Sequence, residues 1–404
     1  MNTLDKTIFG ALFFSLFATI TGVGIVVPLL PVFAHDMGAG GIYIGMIFGS
    51  FSLSRTVFLP YFGKLSDQKG RRPFIISGLA AYTVISFIFI LARNVEGLII
   101  IRLIQGVASA MIMPVVQAYI GDITPAGREG FTMGLFNTAM FLGLSFGPLL
   151  GGLIKDQFNL NAAFISMGVL SLVGFLLSYF WLPPTHTEKI FHKTGNNNQH
   201  NDQHNDKTSS LVWRQFYTNR GIVAIFVFRF VYAACIGVVW GFLPVFADSA
   251  FKLSSSSIGV LVMIGIFISG LMHIPMGLLA DRWDKRLMVI SGGLIVTYSV
   301  MSFLWSDGFA GLLTASVFFG IGGGISMPAL SAITVIKGNA IGAMGALMAI
   351  ITMAHSLGML AGSLMGGVMM DLWKLHYVFP LGALVQLLGT LLFAFLMCTK
   401  ENGD

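Results

Sequence analysis

The sequence predicts an all-α membrane protein, with twelve transmembrane helices in two pseudo-symmetric six-helix bundles around a central cavity. Three observations carry this. Of 404 residues, 55% are apolar and only 10% charged, whereas a soluble chain carries roughly 25% charged residues. Twelve apolar runs have about the 20-residue length that a bilayer demands. A charged motif also occurs twice, 214 positions apart: Gly63-Lys64-Leu65-Ser66-Asp67-Gln68-Lys69-Gly70-Arg71-Arg72 and Gly277-Leu278-Leu279-Ala280-Asp281-Arg282-Trp283-Asp284-Lys285-Arg286.

The first run, 8–34, is too long for a signal-peptide core and has no convincing cleavage site, so it reads as a retained span. The second, 42–62, ends in the first charged motif, read as a short glycine-bounded loop leading to the third run, 74–93. Runs at 97–121, 131–154 and 161–182 complete a first bundle over residues 1–182. A polar stretch, 183–219, follows. Its centre from Gly195 to Asp206 is low in complexity and too polar to form a core, so it reads as a linker. The second bundle, 220–404, has runs at 220–247, 257–277, 287–305, 308–332, 341–369 and 376–398, then a short tail. Cys235 and Cys398 fall in apolar runs, which argues against a disulfide framework, and two cysteines imply no metal site. His200 and His204 in the linker read as solvated residues.

The repeat extends beyond the charged motif. Leu30-Pro31-Val32-Phe33-Ala34 returns as Leu243-Pro244-Val245-Phe246-Ala247. Gly106 and Pro114 match Gly320 and Pro328, and Asp156 matches Asp371. Two parallel repeats of six helices with a site between them describe an alternating-access transporter. Lysine and arginine set the orientation. With the N-terminus inside, sixteen of the 23 basic residues fall in cytoplasmic segments and four in outer ones. This places both termini and the linker in the cytoplasm. The net charge of +6 therefore marks topology and gives no sign of nucleic-acid binding.

With these residues in view, the chain resembles the major facilitator superfamily, and within it the twelve-helix drug:proton antiporter group. The charged stretch from Gly63 to Arg72 is similar to the family's loop 2–3 motif, and Arg102-Leu103-Ile104-Gln105-Gly106 to its fourth-helix motif. Gly143-Leu144-Ser145-Phe146-Gly147-Pro148-Leu149-Leu150-Gly151-Gly152 resembles the fifth-helix antiporter motif, and Pro28-Leu29-Leu30-Pro31 the first-helix motif. The resemblance implies export across a bacterial inner (plasma) membrane. It also implies that the third, sixth, ninth and twelfth spans lie outside the central cavity.

Each motif has a physical reading. Gly63 and Gly70 let the backbone turn and approach a neighbour closely. Asp67 offers a carboxylate for a helix N-terminus. The resemblance makes that helix the eleventh, starting near Ile341, and makes the contact a cytoplasmic gate. Arg71 is placed to pair with Asp122, and Asp281 with Arg282 repeats the gate in the second half. Gly143, Gly147 and Gly151 recur every four residues beside Pro148, and Gly358, Gly362 and Gly366 repeat the spacing without the proline. Such stripes permit close helix packing. By resemblance they also form a bendable pair at the outer gate.

Charge inside the membrane is the most informative feature. Arg55, Arg102 and Arg229 sit within the second, fourth and seventh spans, whereas all seventeen acidic residues fall in loops or at span ends. A buried arginine costs roughly 2.5–3.5 kcal/mol on insertion scales, so three of them call for partners such as water or a bound anion. The first span, where related cation exporters carry an acid, holds the uncharged Thr19-Ile20-Thr21-Gly22-Val23-Gly24. The expected substrate is therefore a small organic anion or zwitterion. His355 and His273 lie in spans and titrate near neutrality, which with Arg102 makes them proton-coupling candidates. Gln105, Gln117, Asn137, Tyr232 and Trp240 are candidate cavity contacts.

The sequence offers no nucleophile–base constellation, nucleotide loop or metal spacing. An enzyme is not expected, and no cofactor is called for. With no ATP-binding motif, the driving force is an ion gradient. The expected protein is a monomeric, proton-coupled exporter whose partners are its substrate, protons and the lipid bilayer. The alternative is a proton-coupled importer of an organic anion such as a carboxylate metabolite or siderophore.

Overall fold

A computed structural model describes residues 3–123, 129–183, 219–341 and 344–398, with side chains from residue 10 onward except those of 121–135, 341–346 and 398. Among the described residues, twelve long helices cross the molecule. They are α1 (Thr3–Asp36), α2 (Gly41–Lys69), α3 (Arg71–Ile88), α4 (Val95–Ile123), α5 (Glu129–Gln157), α6 (Leu160–Trp181), α7 (Arg220–Phe251), α8 (Ser255–Arg282), α9 (Lys285–Ser302), α10 (Phe309–Ile341), α11 (Met344–Leu372) and α12 (Val378–Cys398). Each contains a segment long and apolar enough to span a bilayer. Among the described residues there is no strand.

The packing follows the sequence repeat. In the first six helices α1 packs on α5 and α6, α4 on α2 and α3, and α3 on α6. In the last six, α7 packs on α11 and α12, α10 on α8 and α9, and α9 on α12. The two sets meet chiefly through α2 with α11, α5 with α8, and α1 with α7.

The glycine stripes serve packing within each half. A Cβ on Gly147 would stand 2.6 Å from Gly24 Cα of α1, and one on Gly151 would stand 2.7 Å from the Ile25 carbonyl. In the repeat, a Cβ on Gly362 would stand 2.6 Å from Ala234 Cα of α7. Gly143 likewise faces α1, and Gly358 and Gly366 face α7. Lipid is as apolar as a leucine side chain, so helices here gain by close backbone contact, which only small residues allow. The same contacts occupy the polar stretch of α1, where the Thr19 and Thr21 hydroxyls donate back to their own helix.

The charged motif differs from its expected form. Gly63 is not a turn: α2 continues to Lys69, and only Gly70, at φ +91°, reverses the chain. The extension is amphipathic. Ser66 is buried and Leu65 packs on the core, while Lys64, Asp67, Gln68 and Lys69 point outward. The second copy ends differently. Helix α8 runs to Arg282, and Asp284 caps α9 by accepting the Arg286 N–H at 2.8 Å. Arg72 is more than a basic anchor. It donates to the Tyr179 carbonyl at the end of α6 (3.0 Å), and its counterpart Arg286 donates to the Met397 carbonyl at the end of α12 (2.7 Å). Carbonyls of a last helical turn lack intrahelical partners, so a guanidinium satisfies them well.

The hydrogen bonds described between the halves all lie at the end of the bundle distal to the chain termini. Asp371, at the end of α11, accepts the N–H groups of Gly41 (2.5 Å) and Ile42 (2.9 Å) at the start of α2. Asp156, at the end of α5, accepts those of Ser255 (3.0 Å) and Ser256 (2.7 Å) at the start of α8. Each carboxylate faces the first free N–H groups of a helix, where partial positive charge accumulates. The two aspartates are the pair matched by the repeat. Glycines bring the backbones together around them. Gly41 and Gly45 meet the Gly367 and Ser363 carbonyls, while Gly152 and Gly259 meet those of Ser255 and Pro148.

Candidate functional site

A cavity of about 440 Å³ lies between α5, α7, α8, α10 and α11. Helical spacing selects its lining. On α7, Arg229, Tyr232, Ile236 and Trp240 recur every three or four residues and share one face. On α8, Leu261, Gly265, Ser269 and His273 recur every four. Helix α11 contributes Met348, Ile351 and His355, and α5 contributes Asn137, Phe141 and Leu144. The cavity is therefore off-centre: the last six helices build most of it, and α5 closes it.

Its chemistry is aromatic with a few cationic or titratable groups. Tyr232 stacks on Phe319 with centroids 6.0 Å apart. Phe141 packs on the His273 ring at 4.6 Å. His273 Nδ1 lies 2.6 Å from the Ser269 carbonyl. Arg229 makes one described hydrogen bond, to the sulfur of Met327 at 2.8 Å, and its Nε is buried without a partner. The Nδ1 of His355 and the hydroxyl of Ser316 are also buried and unpaired. Among the described lining residues there is no carboxylate.

Of the residues expected at the cavity, the structure brings together Asn137, Arg229, Tyr232, Trp240, His273 and His355. Arg55, Arg102, Gln105 and Gln117 do not line it. Arg102 and Gln105 are buried where α4 packs on α2. Arg102 donates to the Ile47 carbonyl (3.2 Å) and to Gln105 Oε1 (2.8 Å), and lies over the rings of Phe48 and Phe51. Hydrogen bonds and ring faces thus satisfy this guanidinium, the arrangement expected of a structural cation. Arg55 is half-buried on α2 with an unpaired Nε, and Gln117 is exposed. Removing Arg102 leaves the buried Gln105 Oε1 without its described donor, at about 1–3 kcal/mol for the unsatisfied group. Arg102→Met is expected to lower the thermal unfolding midpoint in detergent clearly below wild type. An unchanged midpoint would refute the structural role.

Of the expected cytoplasmic gate, the described residues show one ion pair: Asp67 is exposed and pairs with Arg71 one turn along. Asp281 and Arg282 are exposed too. The side chain of Asp122 lies outside the described residues. Sequence reasoning missed Phe141, Ser269, Ser316 and Phe319, because in apolar runs nothing local separates a cavity wall from a core.

The family model for the Major Facilitator Superfamily matches residues 12–336 and 229–403. An uncharacterised MFS-type transporter of Methanocaldococcus jannaschii is 28% identical over 387 residues, covering 96% of this chain and 97% of that protein. Multidrug resistance protein 2 of Bacillus subtilis is 26% identical, covering 95% and 94%. Quinolone resistance protein NorA of Staphylococcus aureus is 31% identical over 175 residues, covering 43% and 45%. Among solved structures, a point mutant of the nucleoside transporter NupG superposes with a TM-score of 0.80 at 14% identity, covering 96% of this chain and 99% of that one.

Proposed function

The chain belongs to the major facilitator superfamily of integral membrane transporters, and we propose that it exports a small organic anion or zwitterion in exchange for protons. One observation carries the substrate class. The cavity presents the unpaired Nε of Arg229, with His273 and His355 nearby, and holds no carboxylate among its described lining residues. A lipophilic cation would meet like charge in a low-dielectric site, whereas an acid group supplies the missing partner. The relatives named for drug resistance support the direction of transport.

Orientation follows from the basic residues. With both termini in the cytoplasm of a bacterial plasma membrane, the hydrogen-bonded distal end faces outward, which favours access to the cavity from inside. This state would load substrate for export. His355 and His273 share the cavity with Arg229, so protonation of either imidazole would change the charge that a bound acid meets and link proton to cargo.

The test uses everted membrane vesicles with an acidified interior. The probes are an aromatic sulfonate, a fluoroquinolone (a carboxylate-bearing zwitterion) and a quaternary ammonium dye. The two acids are expected to accumulate about tenfold over control vesicles, a gradient of about 1.4 kcal/mol, and to leak out when a protonophore is added. Accumulation of the cation alone would overturn the substrate class. Movement of the acids in the opposite direction would make the protein an importer.

A further inference from the structure

A second cavity, of about 390 Å³, lies against the first, and its described lining comes from α5 and α8, one of the helix pairs that join the two halves. The two cavities share Asn137, Phe141 and His273. At 100° per residue, the α8 positions that line the first cavity and positions 267, 271 and 274 fall on nearly opposite faces. Phe267, Leu271 and Ile274 line the second cavity and are exposed, Leu271 by 66% and Ile274 by 72%. That face of α8 meets acyl chains in a bilayer. The second cavity is thus a recess in the flank of the α5–α8 seam, open toward lipid and apolar apart from Asn137, Thr138, Ser145 and His273.

The partition between the cavities is thin. It consists of the Phe141 ring against the His273 ring, 4.6 Å apart. Gly270 makes this placement possible, because a Cβ there would stand 3.0 Å from Phe141 Cβ. Beyond the partition lie Arg229 and His355, the cationic and titratable groups of the inner cavity. An exposed apolar face, an apolar recess, a shared ring pair and the cavity that holds Arg229 thus adjoin one another.

We propose that this recess is a side entrance and tail-binding site for an amphiphilic organic anion. The acid group sits at Arg229, and the apolar chain lies back past Phe141 into the cleft between α5 and α8. The inference rests on the exporter reading and narrows its substrate to acids that partition into the bilayer. It also accounts for the off-centre cavity. A cargo arriving from lipid needs a site against the seam, whereas a cargo arriving from water is served by a site on the axis.

The probes are benzoate and 4-octylbenzoate, which share a head and differ in the chain. Uptake is measured in proteoliposomes, and binding in nanodiscs, for wild type, Leu142→Trp and Leu271→Trp. Both variants add bulk to the recess, and Leu271 is exposed enough for the change to be tolerated. Wild type is expected to favour 4-octylbenzoate, and each variant to lower that preference by about tenfold, the equivalent of about 1.4 kcal/mol. A general structural defect would lower both probes together, and that result, or an unchanged preference, would overturn the proposal. Transport of both probes with no sensitivity to either variant would leave an exporter without a side entrance. If neither probe is transported, the exporter reading fails, and nanodisc binding alone decides. Binding of 4-octylbenzoate that both variants weaken supports the recess, and binding they leave intact sinks it. Should both variants misfold on gel filtration, Phe141→Ala, which merges the cavities, is expected to speed 4-octylbenzoate entry relative to benzoate. Equal rates would refute the entrance.

Discussion

Replacing Asp156 and Asp371 together by alanine is expected to unlatch the distal end and shift the protein toward a conformation open on that side. Each carboxylate holds two N–H groups of a helix in the opposite half. Charge-assisted hydrogen bonds of this kind contribute about 1.5–3 kcal/mol when buried. Both aspartates are exposed, so solvent screening lowers the figure to about 0.5–1 kcal/mol apiece. The two latches lie on different helix pairs and share no partner, so their effects should add. Together they bias the equilibrium by about 1–2 kcal/mol, a population shift of about five- to thirtyfold.

The measurement is a spin-label distance distribution between the α1–α2 and α7–α8 loops, in protein whose native cysteines are replaced by serine. Wild type should give one short distance. The double variant should add a long one, and each single variant a smaller share of it. A distribution unchanged in the double variant would show that the glycine contacts alone hold this end. The asymmetry of the two ends makes the test informative, because Asp67 pairs within its own motif here while Asp156 and Asp371 reach across to the opposite half.

The spans were legible because hydropathy acts residue by residue. A run that must shed its water has to be apolar throughout, whatever it packs against. The repeat was legible for a similar reason, since Gly362 repeats the close approach that Gly147 makes. What did not show locally was partner choice. Asp156 and Asp371 stood out as a matched pair, but a carboxylate at a span end does not say which helix N-terminus it will meet. Gly63 misled because glycine permits a turn without requiring one, and past the bilayer an amphipathic continuation kept α2 helical as far as Gly70.

The arginines show the same limit more sharply. Arg55, Arg102 and Arg229 look alike in sequence, each a lone cation in an apolar run. Arg102 proves to be satisfied by Ile47, Gln105 and two phenylalanine rings. None of these partners except Gln105, one turn away on the same helix, is near it in the chain. Arg229 proves to have little more than a methionine sulfur. Arg55 also has an unpaired Nε but does not line the cavity, so it is Arg229, unsatisfied and at the cavity wall, that argues for a ligand there.

That difference predicts opposite effects of similar substitutions. Arg229→Met is expected to lower transport of carboxylate and sulfonate probes by about thirtyfold or more, because truncating one partner of a desolvated charge pair costs about 2–5 kcal/mol. It is also expected to raise the thermal unfolding midpoint of the substrate-free protein, since an uncompensated arginine at mid-membrane depth costs roughly 2.5–3.5 kcal/mol and the substitution removes it. Arg229→Lys keeps the charge and loses the planar fork, so it should retain part of the transport. Arg102→Met should do the reverse to stability. The decisive pair of readings is therefore the midpoint and the flux for both variants side by side. If Arg229→Met destabilised the protein as Arg102→Met does, and left acid transport intact, Arg229 would be one more structural cation and the substrate class would have to be reassigned. If it stabilised the protein while abolishing acid transport, the incompletely paired guanidinium would be identified as stability surrendered to bind cargo.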